Sequence, residues 1–164
     1  MKSVQSIPSK IFTLPELLAE LRRWRLKNNK IVFTNGVFDI LHEGHIASMS
    51  EAATYGDKLI IAVNSDASVK RLKGPSRPVN SENSRALVLA AMVLTDAVII
   101  FDEDTPLELI KRVLPDVLVK GGDYTIEQIA GAKEVLANGG SVKLAAIKEG
   151  ISTTGIIQKM REVS

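Results

Sequence analysis

Lys30-Ile31-Val32-Phe33-Thr34-Asn35-Gly36-Val37-Phe38-Asp39-Ile40-Leu41-His42-Glu43-Gly44-His45 is the stretch on which the fold of this 164-residue chain turns. Its apolar opening, Ile31-Val32-Phe33, reads as a short buried strand, and the glycine-bearing polar segment after it reads as a turn into a helix. His42 and His45 stand at i and i+3, so a helix starting there places both imidazoles on one face. Gly44 removes a side chain where a ligand would approach the backbone, and a helix N-terminus offers N–H groups and a positive dipole end to an anion. The pattern predicts a phosphate site directly after the first strand of an α/β domain.

Outward from this stretch, further apolar runs fall at 59–63, 97–101, 117–119 and 142–147. Between them lie segments of helical periodicity near 46–55, 84–94, 106–114 and 126–137. Short buried strands alternating with helices predict a mostly parallel sheet covered on both faces. Lys70–Asn80, with its four basic residues, two prolines and a glycine, reads as a loop able to close over a substrate. Before the first strand, Thr13-Leu14-Pro15-Glu16 has capping-box spacing, and Leu14, Leu17, Leu18, Leu21 and Trp24 follow at helical intervals. Residues 1–29 are therefore expected to form a helical extension packed on a domain spanning 30–164. Trp24 sits among Arg22, Arg23 and Arg25, and packing of an amphipathic helix explains it better than a basic aromatic patch.

The bulk composition removes several function classes. Basic and acidic side chains number 21 and 19, a net charge of +2 that does not make a nucleic-acid binder. No cysteine is present, so disulfides, thiolate metal sites and cysteine nucleophiles are excluded. The apolar runs are too short to span a bilayer and the first thirty residues lack a signal-peptide pattern, so the expectation is a cytoplasmic protein with no membrane partner. The histidine spacing is H-E-x-H rather than H-E-x-x-H, with no evident third ligand, and no protein-held metal is expected. G-x-G-x-x-G and G-x-x-x-x-G-K-S/T are both absent, which disfavours dinucleotide oxidoreductases and P-loop kinases.

In a doubly wound sheet, ligands collect at the carboxyl ends of the strands near the point where strand order reverses. Gly36–His45, Asn64-Ser65-Asp66, Lys120-Gly121-Gly122-Asp123 and Gly150-Ile151-Ser152-Thr153-Thr154 all follow predicted strands. The last of these reads as a helix N-terminus with more hydroxyls than a cap requires. On the basic loop, Lys73 and Arg77 are candidate clamps for phosphate, with Arg85 on the next helix a weaker one. Asp39 either orders the histidine segment or touches a sugar hydroxyl.

Thr34–His45 resembles the nucleotidyltransferases that carry a histidine-x-glycine-histidine motif. Asn64–Ser68, Lys70–Gly74, Ser76–Asn80, Lys120–Tyr124 and Gly150–Thr154 are similar to one subfamily, the D-glycero-β-D-manno-heptose 1-phosphate adenylyltransferases. The likeness runs from about Lys30 to the C-terminus, and no motif of the sugar-kinase domain often fused to such a domain is seen, so a stand-alone form is expected. The resemblance implies an α/β, Rossmann-like doubly wound, mostly parallel five-stranded sheet with helices on both faces. It implies AMP transfer from ATP to a heptose 1-phosphate, with Mg²⁺ bridging the phosphates, in a homodimer. His42, His45 and Lys73 are then the catalytic residues. Asn35, Gly36, Val37, Phe38, Gly44, Gly121, Asp123, Ile151, Ser152, Thr153 and Thr154 would hold the nucleotide, and Asp39, Asn64, Asp66, Arg77 and Lys120 the sugar phosphate. Two alternatives are a glycerol-3-phosphate cytidylyltransferase, disfavoured because 87–96 lacks that group's arginine, and a nucleotide sensor without turnover.

Overall fold

A computed structural model describes residues 6–122, 124–146 and 152–163. The predicted first strand is β1 (Ile31–Gly36), followed by β2 (Lys58–Asn64), β3 (Ala97–Phe101), β4 (Val117–Gly121) and β5 (Ser141–Ala145). They form one sheet in the order β3-β2-β1-β4-β5, and every neighbouring pair is parallel. The chain steps outward from β1 to β3 and returns to the other side of β1 at β4. Strand order therefore reverses between β1 and β4.

Both faces of the sheet are covered, which is why its strands read as continuous apolar runs. Ile31, Phe33, Ile60, Ala62, Ile99 and Leu118 pack with the helices α1 (Leu14–Leu26), α5 (Leu107–Val113) and α6 (Ala132–Ala137). Alternate residues, among them Val32, Ile61, Val63, Val98 and Val119, pack with α2 (Glu43–Ala53) and α4 (Glu82–Ala90). Phe33 and Ile60 are fully buried, each worth about 1.5–3 kcal/mol relative to exposure. Two further helices, α3 (Asp66–Lys73) and α7 (Thr153–Val163), follow β2 and β5.

At the start of α1 the Thr13 N–H and hydroxyl both donate to the Glu16 carboxylate, at 2.8 and 2.6 Å. Leu17, Leu21 and Trp24 of α1 are buried in the same cluster as the sheet, and Lys58 Nζ lies 5.6 Å from the Trp24 ring centroid. The tryptophan is a core residue. Two expectations need correction. Lys70–Lys73 are not loop but the last turn of α3, which carries a Ser65 N-cap accepting from the Ser68 N–H and ends at Gly74 with φ +93°. The periodic segment 126–137 is broken, because Gly131 (φ +85°) separates a single turn at Ile126–Gln128 from α6. A Cβ at Gly131 would stand 2.6 Å from an Ile110 methyl, so both its left-handed backbone and its packing demand glycine.

Candidate active site

His42 is the N-cap of α2, and its side chain does not cap the helix. Gly44 and His45 lie in the first turn. The two imidazole rings stack at 3.9 Å with 31° between planes, and Phe38 meets His45 edge-on at 5.4 Å. Phe38 itself has φ +49°, an uncommon conformation for an aromatic residue and one typical of functional turns. Gly36 makes it possible: a Cβ there would stand 3.1 Å from the Phe38 ring.

Both Nδ1 atoms, of His42 and of His45, are buried without a hydrogen-bond partner among the described residues, while each residue remains partly exposed. Nε2 is the remaining polar atom of each partly exposed ring. A buried lone pair is less costly to leave unpaired than a buried N–H, so we assign the proton to Nε2, making each neutral ring a donor toward the mouth of the site. Burial, then the neighbouring His42, lowers the His45 pKa to about 4.

Asp39, 3% exposed, is committed to the protein. Its carboxylate accepts from Arg77 Nε (2.6 Å), the Val79 N–H (2.8 Å) and the Asn80 N–H (3.0 Å), and its carbonyl accepts from the Asn80 amide (2.7 Å). Burial pushes the Asp39 pKa up, but the Asn80 and Val79 N–H groups and Arg77 outweigh it, and the net shift is downward. The segment read as a free lid is thus latched to the histidine-bearing turn by a buried anion. Asp39→Asn is expected to cost about 2 kcal/mol, because an amide offers fewer acceptor positions and no charge to Arg77. A urea midpoint that does not move would refute the latch. The contribution of Asp39 is present above the ordinary carboxylate pKa of 3.8 and fades as pH falls through the lowered native value.

Asn64 ends β2 and its amide donates to Ser68 Oγ at 3.0 Å. Asp66 opens α3 and pairs with Arg85 Nη2 at 2.8 Å. Arg85, ranked weakly from sequence, is a buried hub whose guanidinium also donates to the Val37, Asn64 and Asn80 carbonyls at 2.7–2.9 Å. Lys120, at the end of β4, lies 5.5 Å from the Tyr124 ring centroid. Burial, then the Lys73 ammonium, lowers the Lys120 pKa, so two cations share this edge. Gly121 sits beside Ser48, whose Oγ would be 3.1 Å from a Cβ there. Thr153 donates its hydroxyl to the Ile40 carbonyl at 3.2 Å, and the Ser152 hydroxyl accepts from the Gly155 N–H at 3.1 Å. Asp123 and Ile151, named above as nucleotide contacts, lie outside the described residues.

Asn35 and Gly36 end β1, Val37 to Asp39 follow at once, and β4 lies next to β1. The structure thus brings His42, His45, Asn35–Asp39, Lys120 and Gly121 to the carboxyl ends of β1 and β4, at the reversal of strand order where ligands bind such sheets. A parallel sheet with paired imidazoles and cations at that crevice points to the nucleotidyltransferase class. The chain belongs to the cytidylyltransferase-like family, whose model matches residues 33–159. It is 53% identical over 158 residues to the bifunctional protein HldE of Koribacter versatilis (strain Ellin345), covering 96% of this chain and 32% of that protein. It is also 53% identical over 152 residues to the bifunctional protein HldE of Escherichia coli (strain K12 / DH10B), covering 93% of this chain and 32% of that protein. The chain therefore spans about a third of the length of these curated relatives. Among solved structures it resembles the lipopolysaccharide core biosynthesis protein from Thermoplasma volcanium GSS1, with TM-score 0.58 and 31% identity over 73% of this chain and 97% of that one.

Proposed function

We propose that this protein transfers AMP from ATP to D-glycero-β-D-manno-heptose 1-phosphate, releasing pyrophosphate and forming ADP-heptose for surface-glycan synthesis. The observation that carries the reading is the stacked His42–His45 pair at the start of α2, with both Nδ1 atoms buried and unpartnered among the described residues, beside the β1/β4 crevice. Likeness to the bifunctional HldE proteins and to a lipopolysaccharide core biosynthesis protein supports the substrate class.

In the proposed reaction a sugar-phosphate oxygen attacks the α-phosphorus of ATP, a new P–O bond forms, and the bond to the β-phosphate oxygen breaks in line. The nucleophile is already an anion, so no general base is required. Catalysis reduces to holding two anions together and neutralising the charge that builds on the α-phosphate oxygens and the leaving group. Nε2–H donors of His42 and His45 face the α-phosphate, and the N-terminal turn of α7, with Ser152, Thr153 and Thr154, faces the outer phosphates. Lys73 and Lys120 supply positive charge between the two substrates. Asn64, Asp66, Asp39 and Arg77 shape the wall beyond β2, the last two through the latch.

Among the described residues no group of three or more His, Asp or Glu could hold a metal ion, so Mg²⁺ enters the proposal with ATP as part of the substrate complex. A cytoplasmic setting belongs to the same proposal, and among the described residues no helix is long and apolar enough to cross a membrane. So does a homodimer, for which the exposed Leu87, Val88 and Val93 offer apolar surface.

Purified protein with Mg²⁺ is expected to release pyrophosphate from ATP with the heptose 1-phosphate, and to leave CTP with glycerol 3-phosphate untouched. Release only in the second pairing would overturn the choice of base and acceptor. Binding of ATP with no release in any pairing would instead indicate a sensor.

A further inference from the structure

A cavity of about 460 Å³ lies between the end of α3 with the segment after it and one face of α7. Lys73, Ser76 and Arg77 line it on one side, and Thr154, Gln158 and Arg161 on the other. Thr154, Gln158 and Arg161 stand at i, i+4 and i+7, a single stripe running away from the N-terminus of α7. Neither Gln158 nor Arg161 was singled out by the sequence, which offers only a charge on a C-terminal helix.

Among the described residues, three cations and no carboxylate line this space. Arg77 is partly neutralised, since its Nε donates to Asp39. Lys73 and Arg161 have no ion-pair partner among the described residues. The cavity therefore carries a surplus of about two positive charges, matching a phosphate monoester, which bears about −1.5 to −2 at pH 7. The neutral polar groups beside them are the Ser76 hydroxyl and the Gln158 amide, whose nitrogen donates to Glu162 at 3.4 Å and whose oxygen is of the kind that accepts from a sugar hydroxyl.

Both walls are pinned by the histidine-bearing turn. Asp39 holds Arg77 and the residues after it, and the Ile40 carbonyl accepts from Thr153 at the start of α7. The cavity is thus fixed in register with His42 and His45. Lys73 connects it to the reaction edge, since its charge is felt at Lys120. In the proposed reaction the outer phosphates of ATP meet the N-terminal turn of α7, whereas this stripe leads away from that turn.

We propose that this cavity is the acceptor subsite, and that Arg161 and Gln158 grip the sugar phosphate, not the nucleotide. The inference rests on the transfer reading above for the identity of the acceptor, but it makes a separate claim about where a phosphate monoester binds. Arg161→Gln is expected to raise the KM for the sugar 1-phosphate about tenfold, as loss of one charged hydrogen bond does. The KM for ATP should stay within about twofold, and Arg161→Lys should recover most of the loss. A rise in the KM for ATP with the acceptor KM unchanged would overturn the assignment, as would no change in either constant.

A binding measurement separates failure of this inference from failure of the transfer reading. With the nucleotide site filled by α,β-methylene-ATP, inorganic phosphate titrated calorimetrically should bind the wild-type protein and bind Arg161→Gln about tenfold more weakly. Equal binding by the two proteins, or no binding by either, would overturn the subsite. If the wild type binds phosphate in this state yet releases no pyrophosphate with any sugar phosphate, the subsite stands and the reaction assignment falls.

Discussion

Replacing His45 with alanine is expected to lower kcat/KM for adenylyl transfer by about 10²–10³, the usual effect of deleting one preorganised donor aimed at charge that develops in the transition state. The loss should appear mainly in kcat, because the ring is proposed to meet the α-phosphate most closely when it carries five oxygens. His42→Ala should cost a similar factor, and the double variant much less than the product of the two, since the stacked rings act as a unit. A His45→Ala enzyme within about threefold of wild type would remove the histidine pair from the mechanism.

The same residue gives a pH signature independent of turnover. With the native His45 pKa lowered to about 4 from 6.5, the unfolded chain binds more protons than the native one between those values. Native stability therefore rises with pH across that window, and the contribution present above 6.5 fades as pH falls toward 4. An anionic phosphate placed against Nε2 favours the imidazolium and raises the pKa of the bound form. ATP binding near pH 6 should then be accompanied by proton uptake, read as a calorimetric enthalpy that depends on the ionisation enthalpy of the buffer. His45→Gln should abolish that dependence. Buffer-independent binding by the wild-type protein would show that the phosphates do not approach this ring.

The sheet was legible because its strands are buried on both faces and so appear as uninterrupted apolar runs, with glycine and proline marking the helix ends. The histidine pair was legible because i, i+3 spacing after a strand has a direct geometric meaning. Asp39 was not: a carboxylate three residues past the end of β1 could serve a sugar or the backbone, and only the arrival of Val79 and Asn80 from about 40 residues away makes it a latch. Lys70–Lys73 were misread as loop because charged residues dominate them, although Val69 buries the inner face of α3 and Ser65 caps its start. Arg161 and Gln158 gave no local signal, since what distinguishes them is the element opposite.

Arg85→Ala is expected to cause the largest loss of stability of any variant considered, about 3–5 kcal/mol. The guanidinium side chain is 1% exposed and uses Nε, Nη1 and Nη2 on four partners: the carbonyls of Val37, Asn64 and Asn80 and the carboxylate of Asp66. Truncation leaves those carbonyls without their donor and opens a void between α4 and the ends of β1 and β2, so lost hydrogen bonds and lost packing add. For a chain of this length a loss of that size lowers Tm by about 10 °C. Arg85→Lys should recover well under half, because one ammonium cannot span the forked set of acceptors. Asp66→Asn, at the other end of the ion pair, should cost less, about 1–2 kcal/mol, since the amide oxygen can still accept from Nη2 while the buried guanidinium loses its counter-charge. The contrast identifies what Arg85 does. If the two variants were equally damaging, the ion pair would be the source of stability; if Arg85→Ala is far worse, the source is the clamp on three backbone carbonyls. One of those carbonyls directly follows β1, one ends β2 and one closes the segment latched by Asp39, so the clamp fixes the histidine-bearing turn against the basic wall. At a temperature low enough to keep Arg85→Ala folded, its KM for the acceptor should therefore rise even though Arg85 touches neither substrate, and an unchanged KM would reduce the residue to a core support alone.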